Sequence, residues 1–246
     1  MNHRDYPNPA DWEHASPRQR DRALRSFEHL GQHNVPAYRG PLFVEDDELI
    51  ETQNGPNAAR RLLVLWAVEL RAEGVPRDEV IEIIEQNSLW VHVSPNEKQF
   101  LGESEPDADL CRKLVWRLES IWVLLWALGY IDALDWPYSM CDVTQLVRIV
   151  EPFESDATFI SNANLRPKSE LLDAQDLIMR INWAIRDSNL HGDGLIPENL
   201  SWSDDAEYVE VSQSAAAGVV YERHHTLNWL TKFLDPANWD EVDTPT

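Results

Sequence analysis

Residues 107–129 read DADLCRKLVWRLESIWVLLWALG, and their spacing decides the fold class. Leu110, Leu114, Leu118, Ile121, Trp122, Leu125 and Leu128 recur at the intervals that bring side chains to one face of an α-helix. Trp116, Trp122 and Trp126 add bulk, and Val123, Leu124 and Ala127 make the last two turns apolar all round. A helix apolar on every side is buried among others. The stretch therefore predicts one long central helix from about Asp107 to Leu128, ended by Gly129. Its most apolar part, IWVLLWAL (121–128), is far short of the ~20 residues that a bilayer span needs, so no membrane association is expected.

The flanks carry the same period. Pro56 opens NAARRLLVLWAVELRAEG, with Leu62, Leu63, Trp66, Ala67 and Leu70 on one face and Gly74 closing. Pro76 starts a second helix with Val80, Ile81, Ile83 and Ile84 inward and Glu79, Glu82 and Glu85 outward, which predicts a tight antiparallel pair. LWVHV (89–93) alternates weakly and reads as a short strand. SPNEKQFL (94–101) has a capping serine, a first-turn proline and Glu97 three residues on. Further helices are expected at VTQLVRIV (143–150), after Pro167, and from about Ser214 to Leu234. The expectation is an all-α helical bundle with at most a minor short β element.

Residues 1–40 look like an appendage with one helix, from Pro17 to about His33, and residues 41–246 like the main helical domain. The first forty residues balance six arginines against five acids, while the chain as a whole carries −22. The remainder is thus at −23, a field that repels nucleic acid and anionic membrane and draws basic partners. Two cysteines, Cys111 and Cys141, make no disulfide framework. MNHRDYPNPADWEH has no apolar core, so no signal peptide is expected and a cytoplasmic location is the default.

Signatures of known chemistry are missing: there is no glycine-rich phosphate loop, GxSxG, HExxH or CxxC. No cofactor and no metal site are expected. Asp187–Glu198 places Asp, Asn, Gly and Glu as an EF-hand loop does. His191 and Gly194 occupy positions that want an oxygen ligand and an apolar residue, so the segment reads as a helix stop and turn. His29 and His33 share a helix face without a third ligand nearby. Glu222, Arg223 and His224 on the last helix are candidate catalytic residues if they line a pocket. Asp176, Arg180 and Asn228 are candidate binding residues, with Trp202, Trp239 and Asp240 as candidate partner contacts. Burial gives the polar groups on the two core helices a second reading, as a hydrogen-bonded structural network.

SPNEKQFL, LESIWVLLWALGYIDALDWP followed by CDV, LRPKSELLDAQDLIMRINWA, VVYERHHTLNWL and NWDEVDTPT occur in that order from Ser94 to Thr246, within a matching stretch of about residues 58–246. In this the chain resembles the bacterial DUF4272 family, a domain of unknown function. The resemblance implies a bacterial, helical, cytoplasmic protein and supplies no catalytic residues.

Three functional expectations follow. The first is a non-catalytic acidic binding protein, of the immunity or antitoxin kind, neutralising a basic partner such as a nuclease-type toxin. The second is a hydrolase or transferase built on the Glu222, Arg223 and His224 group together with Asp176 and Arg180. The third is a structural or regulatory scaffold. The C-terminal Trp239 is also expected to pack onto the last helix near Asp176 and Arg180. Asp240 or Asp243 would then accept hydrogen bonds from an arginine or a helix N-terminus.

Overall fold

The central apolar stretch is helical, but as two helices rather than one. In a computed structural model of the chain, which describes residues 12–33, 35, 38, 40–190 and 216–245, the first is Ala108–Leu114 and the second Arg117–Ala127. At Val115 and Trp116 the ladder tightens: the amides of Trp116, Leu118 and Glu119 each donate to the carbonyl three residues back. At this jog Trp116 lies against Gly218, where an added Cβ would sit 2.9 Å from the indole. Periodicity reports faces, not a two-residue change of axis, so it read the pair as continuous.

In chain order the helices are α1 (Pro17–Gln32), α2 (Gly55–Ala72), α3 (Arg77–Gln86), α4 (Pro95–Gly102), α5 (Ala108–Leu114), α6 (Arg117–Ala127), α7 (Val143–Val150), α8 (Phe159–Asn162), α9 (Lys168–Leu190) and α10 (Ala217–Leu230). Short 3-10 turns cover Glu151–Glu154 and Trp239–Glu241. The all-α class holds, with no strand among the described residues. LWVHV is a turn: Leu89 is buried, while Trp90 and Val91 face solvent. Val93 is buried as well, but Val91, which would share its face in a strand, is exposed, so the in-and-out alternation of a strand is broken.

Capping fixes the helix ends. Ser16 and Ser94 each form a full capping box, with Gln19 and Glu97 as the returning side chains. α2 and α6 both end in a Schellman motif. The amide of Gly74 donates to Arg71 and that of Val75 to Leu70, and Gly129 and Tyr130 repeat the pattern onto Trp126 and Leu125. Both glycines sit at positive φ, which is why the closing residue is glycine in each case.

The main packing runs α2–α6–α10–α9–α1, each helix against the next. α3, α5 and α8 surround α2, and α7 lies on α6. The core takes Leu62, Leu63 and Leu65 from α2, Ile121, Leu124 and Leu125 from α6, and Leu227 and Leu230 from α10. Trp12, Ala23, Phe27 and Leu30 belong to this same cluster, so α1, set apart in sequence, shares the core of the bundle through α9. No described helix is long and apolar enough to cross a membrane. Cys111 and Cys141 are free thiols.

Candidate functional site

The candidate residues of the last helix do not converge. Successive side chains on a helix point about 100° apart, and α10 sends Glu222, Arg223 and His224 to three different neighbours. Glu222 accepts from Arg117 at 2.8 Å and from Ser120 Oγ at 2.7 Å. Arg223 Nε donates to Glu119 at 2.8 Å and its Nη1 to the Asp135 carbonyl at 2.5 Å. The His224 Nδ1 lies 3.1 Å from the Asn182 amide, and burial pushes this imidazole down to about 4, so it is neutral near pH 7.

Asp176 and Arg180 form a closed pair through two contacts of 2.8 and 3.0 Å. Ser26 donates to Asp176 at 2.6 Å, Arg180 donates to the Leu42 carbonyl, and its guanidinium rests 4.8 Å from the Phe27 ring centre. Asn228 accepts from Gln175 and donates to the Asp243 carbonyl. Trp239 is buried against His225 and Trp229 of the last helix. The cations beside it are Arg61 and Arg117 rather than the Asp176–Arg180 pair. Asp240 accepts from Ser94 Oγ at 2.7 Å and from the Asn96 amide at 2.9 Å, and so caps the N-terminus of α4. Burial and the nearby Arg117 and Arg61 push His225 down to about 3. Trp202 and residues 191–198 of the EF-hand-like segment lie outside the described residues. No cluster of metal-ligating side chains occurs among the described residues.

Two of the cavities on the described surface carry ionisable linings. One of about 450 Å³ lies between α1, α9 and the segment at Asp132–Pro137. Arg22, Arg25, Arg166 and Arg223 line it together with Asp132, Asp135, Glu170 and Asp173. Each of these arginines already faces a carboxylate, Arg22 and Arg25 both on Asp173 and Arg166 on Glu170. His29 and His33 are in the lining as well, with His33 stacked on Trp136 at 3.7 Å.

The other cavity, about 580 Å³, is a cleft between α2, the start of α6, α7 and the Glu151–Glu154 turn. Its walls are Trp66, Leu70, Val115, Leu118, Met140, Val143 and Val147. Its ionisable residues are all acidic: Glu69, Glu73, Glu151 and Glu154. Glu154 accepts from the Trp66 indole N–H at 2.5 Å. Glu69 is 5% exposed. Burial, with Glu73 one turn away, pushes its carboxyl up to about 7.

A comparison within the molecule separates Glu69 from its peers. Five acidic side chains are buried among the described residues: Glu69, Glu97, Glu119, Asp176 and Glu222. Four of them meet an arginine: Glu97 with Arg61 at 2.6 Å, then Glu119 with Arg223, Asp176 with Arg180 and Glu222 with Arg117 at 2.8 Å. No cation and no hydrogen-bond donor among the described residues reaches Glu69. Burial without an opposing cation disfavours the charged form, so the cleft is where the fold leaves a buried carboxyl group without an internal partner. Sequence reasoning missed Glu69, although it follows Trp66 by three residues and Leu62 by seven, on the apolar stripe of α2. That position was the available signal.

No curated protein and no solved structure shows a significant match to the chain. A model of the family described as "Domain of unknown function (DUF4272)" matches residues 22–242, which takes in most of α1 and every helix after it, so the chain belongs to the DUF4272 family.

Proposed function

We propose that this chain is a non-catalytic acidic binding protein whose function is to engage a basic protein partner. The observation that carries the reading is a set of carboxylates on neighbouring elements of the fold. Asp78, Glu79, Glu82 and Glu85 are exposed along α3. Asn87 at the end of α3 donates to the Glu154 carbonyl, which joins α3 to the turn carrying Glu151 and Glu154 and so to the cleft with Glu69 and Glu73. Of these carboxylates, one ion pair among the described residues reaches Asp78, from Arg77 at 3.6 Å. Like charges on neighbouring elements, most of them unpaired, concentrate the field of a chain at −22, and such a field steers a basic partner and raises its association rate.

The dispersal of Glu222, Arg223 and His224 into separate contacts supports the same reading over a hydrolase or transferase built on them. An immunity or antitoxin role is the finer form of this proposal, and a cytoplasmic location goes with it. The test is co-expression with the product of the neighbouring gene, followed by purification at low ionic strength. The expected result is a complex whose association rate falls steeply as salt is raised. Failure to recover any basic partner at low salt refutes the proposal.

A further inference from the structure

The cleft beside α2 has a composition that specifies its occupant more closely than the acidic set does. Charge runs inward along it. Glu73 and Glu151 are exposed at the rim, Glu154 is half-buried, and Glu69 is buried at 5% exposure. Between rim and base the lining is apolar, with Trp66 and Leu70 from α2, Val115 and Leu118 at the α5–α6 jog, and Val143 and Val147 from α7. A small hydrated cation has no use for such walls and would satisfy the rim carboxylates in water. A purely apolar ligand would leave Glu69 without a partner. A straight hydrocarbon stem ending in a single positive charge matches both features: the stem replaces water along the walls, and the charge meets the buried carboxylate. The volume, about 580 Å³, is ample for one such side chain.

We propose that the cleft receives a lysine side chain of the basic partner, its methylenes against Trp66, Leu70, Leu118 and Val147 and its ammonium on Glu69. The inference rests on the binding-protein reading and names the anchor of that interface. The four carbons of lysine suit the apolar walls, and its compact ammonium carries three donors for carboxylates approaching from more than one side. Interface energy concentrates in a few anchors set into well-packed, desolvated pockets. The carboxylates facing Glu69 across the lining are Glu73 from its own helix and Glu151 and Glu154 from the 3-10 turn, with no basic group among the described lining residues. Arrival of an ammonium near pH 6.5 therefore drives a proton off Glu69, whose carboxyl burial holds at about 7.

The test uses hexylammonium as probe, titrated calorimetrically into the full chain, with hexanol and ammonium chloride as the two half-ligands. Hexylammonium is expected to bind, and each half-ligand to bind at least about tenfold more weakly. At pH 6.5 the heat should depend on the buffer, reporting proton release, and this dependence should vanish in Glu69→Gln together with about tenfold of affinity. Val143→Trp narrows the cleft without touching a carboxylate and should weaken binding as well. Equal binding of hexanol and hexylammonium, or equal binding by the parent and Glu69→Gln, overturns the inference. A failure of the wider reading looks different: hexylammonium binds as described, yet no basic protein is retained at low salt.

Discussion

Replacing Glu69 by glutamine should stabilise the protein, and the gain should depend on pH in one direction. In the folded chain the carboxyl is pushed from its ordinary value of 4.5 up to about 7 by burial first and by Glu73 second. The folded state therefore binds the proton more tightly than the unfolded chain does. The sign follows directly: the stability contributed by protonated Glu69 is intact below pH 4.5 and is lost as pH rises from there through about 7. The interval corresponds to ~3 kcal/mol, an upper figure because the cleft admits some water. Glutamine cannot ionise, and Glu69 accepts no hydrogen bond from the described residues that the substitution would break.

For a chain of this size ~3 kcal/mol corresponds to about 6–12 °C in melting temperature. The assay is thermal unfolding of the parent and Glu69→Gln side by side from pH 5 to pH 9. The gap should be smallest at pH 5 and widen as pH rises, with the variant the more stable, and should level beyond pH 8. All other titrating groups are common to both proteins, so the difference isolates position 69. A gap that does not change with pH, or a variant less stable than the parent at pH 8, refutes the claim that Glu69 ionises without a partner.

Two further substitutions test the structural reading of the other candidate residues. Arg180→Ala should cost about 3–5 kcal/mol in denaturant unfolding, because it leaves the buried Asp176 with Ser26 as its remaining partner, and Asp176→Leu on that background should recover much of the loss. Trp239→Ala should cost ~3–5 kcal/mol, and Asp240→Asn about 1 kcal/mol through the cap of α4; unchanged melting temperatures would mean that the C-terminal turn is not docked.

Helix periodicity made the bundle legible because burial is decided by faces. The stripes on residues 57–73, 77–86 and 168–187 became α2, α3 and α9 with small changes at their ends. Local chemistry was equally visible where one segment decides the outcome, as in the proline start at Pro17, the capping box at Ser94 and the glycine stops at Gly74 and Gly129. What depended on distant segments was not. The α5–α6 jog accompanies the contact of Trp116 with Gly218, about a hundred residues on. The C-terminal turn docked on the last helix as its tryptophan required, but nothing local names the Arg61 and Arg117 that flank it.

The candidate site divides in the same way. A polar residue on an apolar stripe announces that something must be done about it, and sequence cannot say what. For Asp176 the answer is written one turn ahead, since Arg180 is on the same helix and pairs with it. For Glu97, Glu119 and Glu222 the answering arginine comes from another helix and becomes visible in the folded chain. For Glu69 no arginine comes from the described residues. Its surroundings are assembled from α2, the α5–α6 jog, α7 and the 3-10 turn, and these four segments supply apolar walls and three more glutamates. A fold that answers four buried carboxylates from its own side chains and leaves the fifth open to a cleft has the means of pairing charge and does not use it there. The open position at Glu69 is available to a cation from outside, and that difference from Glu97, Glu119, Asp176 and Glu222 makes the cleft, rather than the polar run of the last helix, the place to look for a partner.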